Sequence, residues 1–320
     1  MRCAVVGAGV TGARVVRQLV HLSEVDAVAV RSRRPGRVAD LADALGPKVG
    51  PLGADLVPDV VVLAGQVGSH GIEGRRWLER GASVVSMSPD PEDIAELCDL
   101  DTAAERDGRF VVAGVAFAPG LSSFLAGWAG GGLDRVDEIH VALTGTAGPA
   151  CEQWAAKALT GELREWRDGA WTTRQAGSGG ELVWFPDPIG ARDVRFADSG
   201  EPALLVEAFS GVQRVTYRIT EPRRGVAARV KRWRHGVVEE PGALRVEVRG
   251  QRGSSTEVIV LGMLDRPSTA AAATTALVAS RVHAAGRSGA GSALRFLDPA
   301  DVLIELAHRG VKAAVLDPTG

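Results

Sequence analysis

The strongest constraint on the fold lies in the first dozen residues. An apolar run at residues 3–6 leads into the glycine-spaced sequence GAGVTG at residues 7–12, and a helical pattern follows from residue 13 to 22. Such a turn between a buried strand and an amphipathic helix is the fingerprint of a dinucleotide-binding βαβ unit. An ordinary glycine-rich turn is the alternative interpretation.

The physical chemistry gives each glycine a separate role. Gly7 allows the tight turn out of the strand, Gly9 lets the backbone approach a pyrophosphate, and Gly12 permits close packing of the helix on the strand. The free N–H groups at the start of the helix, with its dipole, favour an anion there. The predicted cofactor-binding residues of the turn are Gly7, Gly9, Val10, Thr11 and Gly12.

The residues after the second predicted strand (26–30) indicate which dinucleotide is bound. NAD sites usually carry an acidic residue about 20 residues beyond the glycines, whereas this chain has Arg31, Ser32 and Arg33 and no carboxylate at that point. Guanidinium groups grip phosphate oxygens in a bidentate manner. The sequence therefore favours NADP(H) over NAD(H), and a solvated basic loop is the alternative.

Length and periodicity predict an α/β protein with two sheets. A chain of 320 residues is long for one nucleotide-binding domain. Strand and helix patterns alternate up to residue 116, including one helix from a cap at Asp90 to residue 106, which predicts a six-stranded parallel sheet in a Rossmann domain. We expect domains at 1–120, 121–266 and 267–320.

In a Rossmann sheet the ligand lies at the carboxyl ends of the strands. The residues that follow three later strands should therefore border the nicotinamide half of the cofactor. They are Ala64, Gly65, Met87, Ser88 and Pro119.

The chain changes character after residue 133. Alternating segments at 138–143, 203–208, 226–233, 244–248 and 257–261 predict strands of a second, α+β domain built on a largely antiparallel sheet. The last 50 residues return to helix. Ser268 is expected to cap one helix ending near Gly286, and Asp298 to cap a final one through His308.

Composition argues against several functional classes. A net charge of −2 provides no general attraction to nucleic acid or to an anionic membrane. The three cysteines form no CxxC pair or zinc-like cluster, so we expect no metal site and a cytoplasmic protein with reduced thiols. The alanine-rich stretch at 270–285 contains Arg281 and His283, which predicts a helix that does not cross a membrane.

Four stretches in order resemble the saccharopine dehydrogenase-like family of NAD(P)-binding oxidoreductases. They are the N-terminal glycine motif, the sequence GVAFAPGLSS at 114–123, the blocks WRDGAW at 166–171 and VWFPDPIG at 183–190, and the late AATTA helix at 272–276. The resemblance spans most of the chain. Its most specific element is APGLSS.

The resemblance implies an interrupted Rossmann domain, a second domain whose sheet forms a homodimer interface, and hydride transfer at a carbon bearing nitrogen. It also reveals a departure. The family members that act on saccharopine look to have an acidic residue at the position that Ala118 occupies in this chain. Because alanine neither binds nor protonates an amino group, saccharopine itself is not the expected substrate.

Candidates for chemistry are scattered along the chain. His70, Tyr217 and Lys231 are the candidate acid/base residues, and Ser122, Ser123 and Arg224 are the candidate substrate contacts. Each has a structural alternative. These are a helix-start histidine facing solvent, a Tyr or Lys on a solvated strand face, serines at a strand-to-helix junction, and an arginine in a charged turn.

These observations predict an NADP-dependent oxidoreductase acting on a small amino, imino or oxo compound. A sugar dehydrogenase of similar plan would show Glu-Lys-Pro after the fifth strand, where this chain has Ser86-Met87-Ser88-Pro89. A non-catalytic NADP(H)-binding sensor or scaffold remains the alternative, since the acid/base candidates form no recognisable set.

Overall fold

In the computed structural model, which describes residues 1–222 and 240–316, a seven-stranded parallel sheet contains the N-terminus. Its strands are β1 (Arg2–Val6), β2 (Ala27–Arg31), β3 (Val49–Pro51), β4 (Val60–Leu63), β5 (Ser83–Ser86), β6 (Phe110–Ala113) and β15 (Gly289–Ser292). Their order is β15-β6-β5-β4-β1-β2-β3, with every neighbouring pair parallel.

The inner strands are apolar on both faces because helices cover both. Val5 and Val62 belong to one hydrophobic cluster, whereas Ala4 and Val61 belong to a second cluster. The helices of this half are α1 (Val10–Val20), α2 (Gly36–Leu45), α3 (His70–Glu79), α4 (Pro91–Cys98) and α5 (Asp101–Arg106). The alternation of strand residues between two cores explains the near-continuous apolar runs in the sequence.

The second sheet is mixed and has nine strands. They are β7 (Arg135–Thr144), β8 (Glu162–Arg167), β9 (Ala170–Gln175), β10 (Glu181–Phe185), β11 (Gly190–Phe196), β12 (Arg214–Ile219), β13 (Gly242–Arg252), β14 (Ser255–Asp265) and β16 (Ala313–Leu316). All pairings are antiparallel except that of β7 with β12. The predicted architecture, a parallel Rossmann sheet with a largely antiparallel second sheet, is confirmed.

Five further helices join the two sheets. They are α6 (Leu121–Gly130), α7 (Pro149–Ala158), α8 (Glu201–Ala208), α9 (Pro267–Ala285) and α10 (Pro299–His308), with a short 3-10 turn at Ala293–Arg295. Helix α6 packs on β13, and α9 packs on α1. One hydrophobic cluster therefore runs from Val5 through Phe124 to Val246 and fastens the second sheet to the first.

Several expectations about strands are wrong. The first sheet has seven strands instead of the expected six, and two of the seven, β3 and β15, come from segments where no strand was expected. Strand β3 has three residues, and β15 reads Gly-Ala-Gly-Ser; neither has the β-branched and aromatic content that marks a strand. Residues 203–208 form helix α8 and not a strand, since six mostly apolar residues do not distinguish the two periods. The segment at 226–233 lies outside the described residues.

The expected helix boundaries need corrections too. Helix α1 begins at Val10, three residues before the expected start. The single helix expected up to residue 106 is two helices, with Asp101 of the second accepting a hydrogen bond from the Ala290 N–H of β15 at 2.7 Å. Ser268 is buried inside α9, whose N-cap is Arg266. The caps at Asp90 and Asp298 are confirmed, because each carboxylate accepts two backbone N–H bonds.

Candidate functional site

The glycine turn combines two crowded positions with one open position. A Cβ on Gly12 would lie 1.8 Å from the Gly7 carbonyl oxygen, and one on Gly7, whose φ is +113°, would lie 2.4 Å from the Ala64 carbonyl oxygen. A Cβ on Gly9 would meet nothing within 4 Å. Gly7 and Gly12 are therefore required by packing. Gly9 borders free space, where the pyrophosphate of a ligand can approach the protein backbone.

The start of α1 is suited to an anion. Gly9 is the N-cap, and no side chain caps the helix. The first N–H groups of a helix, here those of Val10 and Thr11, have no partner within it. They face the open side of the turn with the positive end of the helix dipole, which fits the pyrophosphate of a dinucleotide.

The basic residues after β2 differ from the sequence expectation. Arg31 is not free of carboxylates: its Nη2 lies 2.5 Å from Oε2 of Glu73 on α3, and its guanidinium lies over the ring of Trp77. Ser32 accepts a hydrogen bond from the Arg34 N–H at 3.1 Å. Glu73 competes with any ligand phosphate for Arg31. It was missed because it lies 42 residues along the chain and reaches Arg31 only through the fold.

Two other arginines remain at this end of the site. Arg33 is exposed. Arg37, at the start of α2, donates from Nη1 to the Ala8 carbonyl oxygen at 2.9 Å, which fixes its guanidinium against the glycine turn. Arg37 was not predicted from the sequence because it lies on α2, beyond the residues that directly follow β2.

The residues after β4 and β5 lie at the expected edge of the sheet. Gly65 is exposed and Ala64 half-buried beside the glycine turn, so both border the open side. Met87 and Ser88 are buried, and the Ser88 hydroxyl donates to Asp93 Oδ2 at 2.5 Å. The Ser88 side chain is therefore used inside the protein, and only its backbone is left to border the sheet edge.

His70 belongs to the support of this edge and does not face solvent. Its side chain is buried, its Nδ1 lies 2.8 Å from the Ser86 hydroxyl, and burial lowers its pKa. The Asp93 carboxylate accepts hydrogen bonds from the N–H groups of Gly68, His70 and Gly71. This network fixes the β4–α3 turn against α4.

The APGLSS segment begins α6 under the same edge. Pro119 is buried, and Ser122 and Ser123 donate to one carboxylate oxygen, Oε1 of Glu201, at 2.5 and 3.2 Å. Glu201 is the first residue of α8 and is wholly buried, which raises its pKa to about 7. Sequence reasoning missed Glu201 because residues 203–208 predicted a strand and the serines lie 78 or more residues away.

Tyr217 is buried, contrary to the expectation of a solvated strand face. It lies on β12, its hydroxyl has no hydrogen-bond partner, and burial together with the nearby Glu201 raises its pKa. The structure thus gathers Ser122, Ser123, Glu201 and Tyr217 where the two sheets meet. The other two candidates, Lys231 and Arg224, lie outside the described residues.

Comparison with known proteins identifies the fold. No protein-family model matches the chain, and no curated protein matches it by sequence. Among solved structures, the saccharopine dehydrogenase (L-Glu forming) of Saccharomyces cerevisiae matches with a TM-score of 0.70 at 12% identity, over 99% of this chain and 100% of that one. The fold expected from the family resemblance is therefore confirmed.

Two further dehydrogenases share the architecture. The DAP dehydrogenase of C. glutamicum in complex with DAP has a TM-score of 0.57 and 18% identity, over 97% of this chain and 99% of that one. An engineered D-amino acid dehydrogenase bound to NADP⁺ has a TM-score of 0.54 and 17% identity, also over 97% and 99%. At sequence identities this low, the structural match establishes a common fold alone.

Other kinds of site are not found in residues 1–222 and 240–316. Within these ranges no group of three or more His, Cys, Asp or Glu side chains is arranged to hold a metal ion. No helix there has both the length and the apolar character that crossing a bilayer requires.

The two classes of glycine can be separated by mutation. Gly9→Ala should keep the melting temperature of the parent, because the new methyl enters open space, yet weaken NADPH binding by about tenfold or more as the methyl meets the ligand. Gly12→Ala should lower the melting temperature, because its methyl overlaps the Gly7 carbonyl. Thermal unfolding and fluorescence titration with NADPH measure both effects. Unchanged NADPH affinity in Gly9→Ala would rule out this turn as the cofactor site.

Proposed function

We propose that the protein is an NADP(H)-dependent oxidoreductase of the saccharopine dehydrogenase-like type that acts on a small amino compound or its imino or oxo counterpart. The observation that carries the proposal is the shared sheet edge. The open glycine turn at Gly9 follows β1, and the buried Glu201 carboxyl is held by Ser122, which follows β6 of the same parallel sheet. Amino-acid dehydrogenases with this fold support the choice of substrate class.

Each part of the site has a distinct task in this proposal. The bound nicotinamide supplies hydride chemistry. The amides of Val10 and Thr11 hold the pyrophosphate, and Ala64, Gly65 and the Met87 backbone border the nicotinamide half. The buried walls formed by α6 and β12 exclude water from the reacting carbon.

NADP(H) is the proposed cofactor in preference to NAD(H). In this proposal Arg33 and Arg37 bind the 2′-phosphate beside the glycine turn. Arg31 also contacts it, in competition with its ion pair to Glu73.

A cytoplasmic homodimer is also proposed. Leu182 and Trp184 on β10, the end strand of the second sheet, are 60% and 56% exposed. Exposed apolar side chains of this size are typical of interfaces, and sedimentation of the purified protein as a monomer would contradict a dimer.

The Arg31–Glu73 pair predicts a shift in cofactor choice. Glu73→Gln removes a competing negative charge, so the affinity for NADPH relative to NADH should rise by about three- to tenfold, or roughly 1 kcal/mol for a partly exposed pair. Glu79→Gln, on the same helix but exposed, is the matched control and should leave the ratio unchanged. An unchanged ratio in Glu73→Gln would show that Arg31 does not contact the 2′-phosphate.

Catalysis is tested directly by turnover. The purified protein with NADPH, a panel of 2-oxo acids, aldehydes and ketones, and ammonium or primary amines should oxidise NADPH with at least one pair. The complete burial of Ser122, Glu201 and Tyr217 favours a second candidate, a cofactor-binding sensor. Tight NADPH binding without turnover across the whole panel would favour that sensor and contradict the enzyme.

A further inference from the structure

Two buried polar atoms at the junction of the sheets lack partners. The Glu201 carboxyl oxygen Oε2 and the Tyr217 hydroxyl are both inaccessible to solvent and make no hydrogen bond. Native proteins pair most buried polar atoms, and an unpaired one is costly. Two such atoms on neighbouring elements indicate a site for a polar ligand.

The position of Glu201 is fixed by contacts with residues that follow strands of the first sheet and with its own loop. The Gly200 N–H donates to the Pro89 carbonyl oxygen, which follows β5, and the Glu201 N–H donates to the Ser199 hydroxyl. The hydroxyls of Ser122 and Ser123 occupy Oε1 of the same carboxyl from the start of α6. These contacts hold the carboxyl in place and leave Oε2 without a hydrogen-bond partner.

Tyr217 approaches the carboxyl from the second sheet. It stands on β12, which packs on α8, and its phenol interacts electrostatically with Glu201. In the described part of the chain, the pKa of Glu201 is set by burial and by the two serine hydroxyls. Among residues 1–222 and 240–316 the carboxyl therefore has no cationic partner, and a ligand can bring one.

We propose that Glu201 Oε2 and the Tyr217 hydroxyl form the subsite for the amino group of the substrate. An ammonium group donates two or three hydrogen bonds and carries the charge that a buried carboxylate lacks. This inference rests on the proposed function, because it presumes an amine substrate.

The subsite is built from both halves of the molecule. Ser122 and Ser123 belong to α6, directly after the first sheet, whereas Tyr217 belongs to the second sheet.

The test monitors the carboxyl group itself. The infrared carbonyl band of protonated Glu201 is identified at pH 6 as the band lost in Glu201→Gln, and methylammonium, propylammonium or benzylammonium chloride is added. A primary ammonium ion in the subsite stabilises the carboxylate, so at least one of the three should abolish the band. Tetramethylammonium chloride at equal ionic strength has no N–H to donate and should leave it intact.

Variants test whether the Tyr217 hydroxyl is part of the subsite. Tyr217→Phe should raise the ammonium concentration at half effect by about three- to tenfold, the loss of one hydrogen bond. Glu207→Gln, on the same helix and also with a raised pKa, should respond as the parent does. A band unaffected by all three primary ammonium ions, or abolished equally by tetramethylammonium, would overturn the proposal and indicate a structural water at the pair.

The outcome is independent of turnover. The band requires neither NADPH nor a substrate panel, so a protein that never turns over can still show the ammonium response. An active enzyme whose band ignores ammonium would keep the proposed function and lose this subsite. Melting curves of Glu201→Gln and Tyr217→Phe verify folding. If Glu201→Gln does not fold, Glu201→Asp, which keeps a carboxyl group but shifts its carbonyl band, identifies the band instead.

Discussion

The close approach of the first helix to the first strand is the constraint on which the rest of the structure depends. Gly12 lies against the Gly7 carbonyl with no room for a methyl group, and a methyl group on Gly7 would overlap the Ala64 backbone. This contact sets the direction of α1 and opens the space beside Gly9. The anion-binding character of the turn is thus a consequence of packing, since the same geometry leaves the first amides of α1 free.

The second half of the chain returns to the first sheet and packs against the helix that follows the glycine turn. Helix α9 returns to pack on α1, and β15 extends the first sheet beside β6, so the polypeptide enters the second sheet and comes back. The excursion brings α8 against both α6 and β12. A carboxyl group, two hydroxyls and a phenol are thereby buried at the edge where dinucleotides bind in such sheets.

The sequence predicted those features that depend on local pattern. The glycine spacing, the caps at Asp90 and Asp298 and the two kinds of sheet all follow from residues close together in the chain. The pairing of Arg31 with Glu73 and the burial of Glu201 depend on contacts across 42 and 79 residues, which no local pattern encodes. Strand β15 was missed because its pairing with β6, and not its own glycine-rich sequence, holds it in place.

The most direct measurement is a crystal structure of the protein grown with saturating NADPH. The account predicts one dinucleotide per chain, with pyrophosphate oxygens about 2.7–3.2 Å from the amides of Val10 and Thr11 and the nicotinamide on the side of Glu201. A dinucleotide bound elsewhere, or a glycine turn without ligand at saturation, would contradict it.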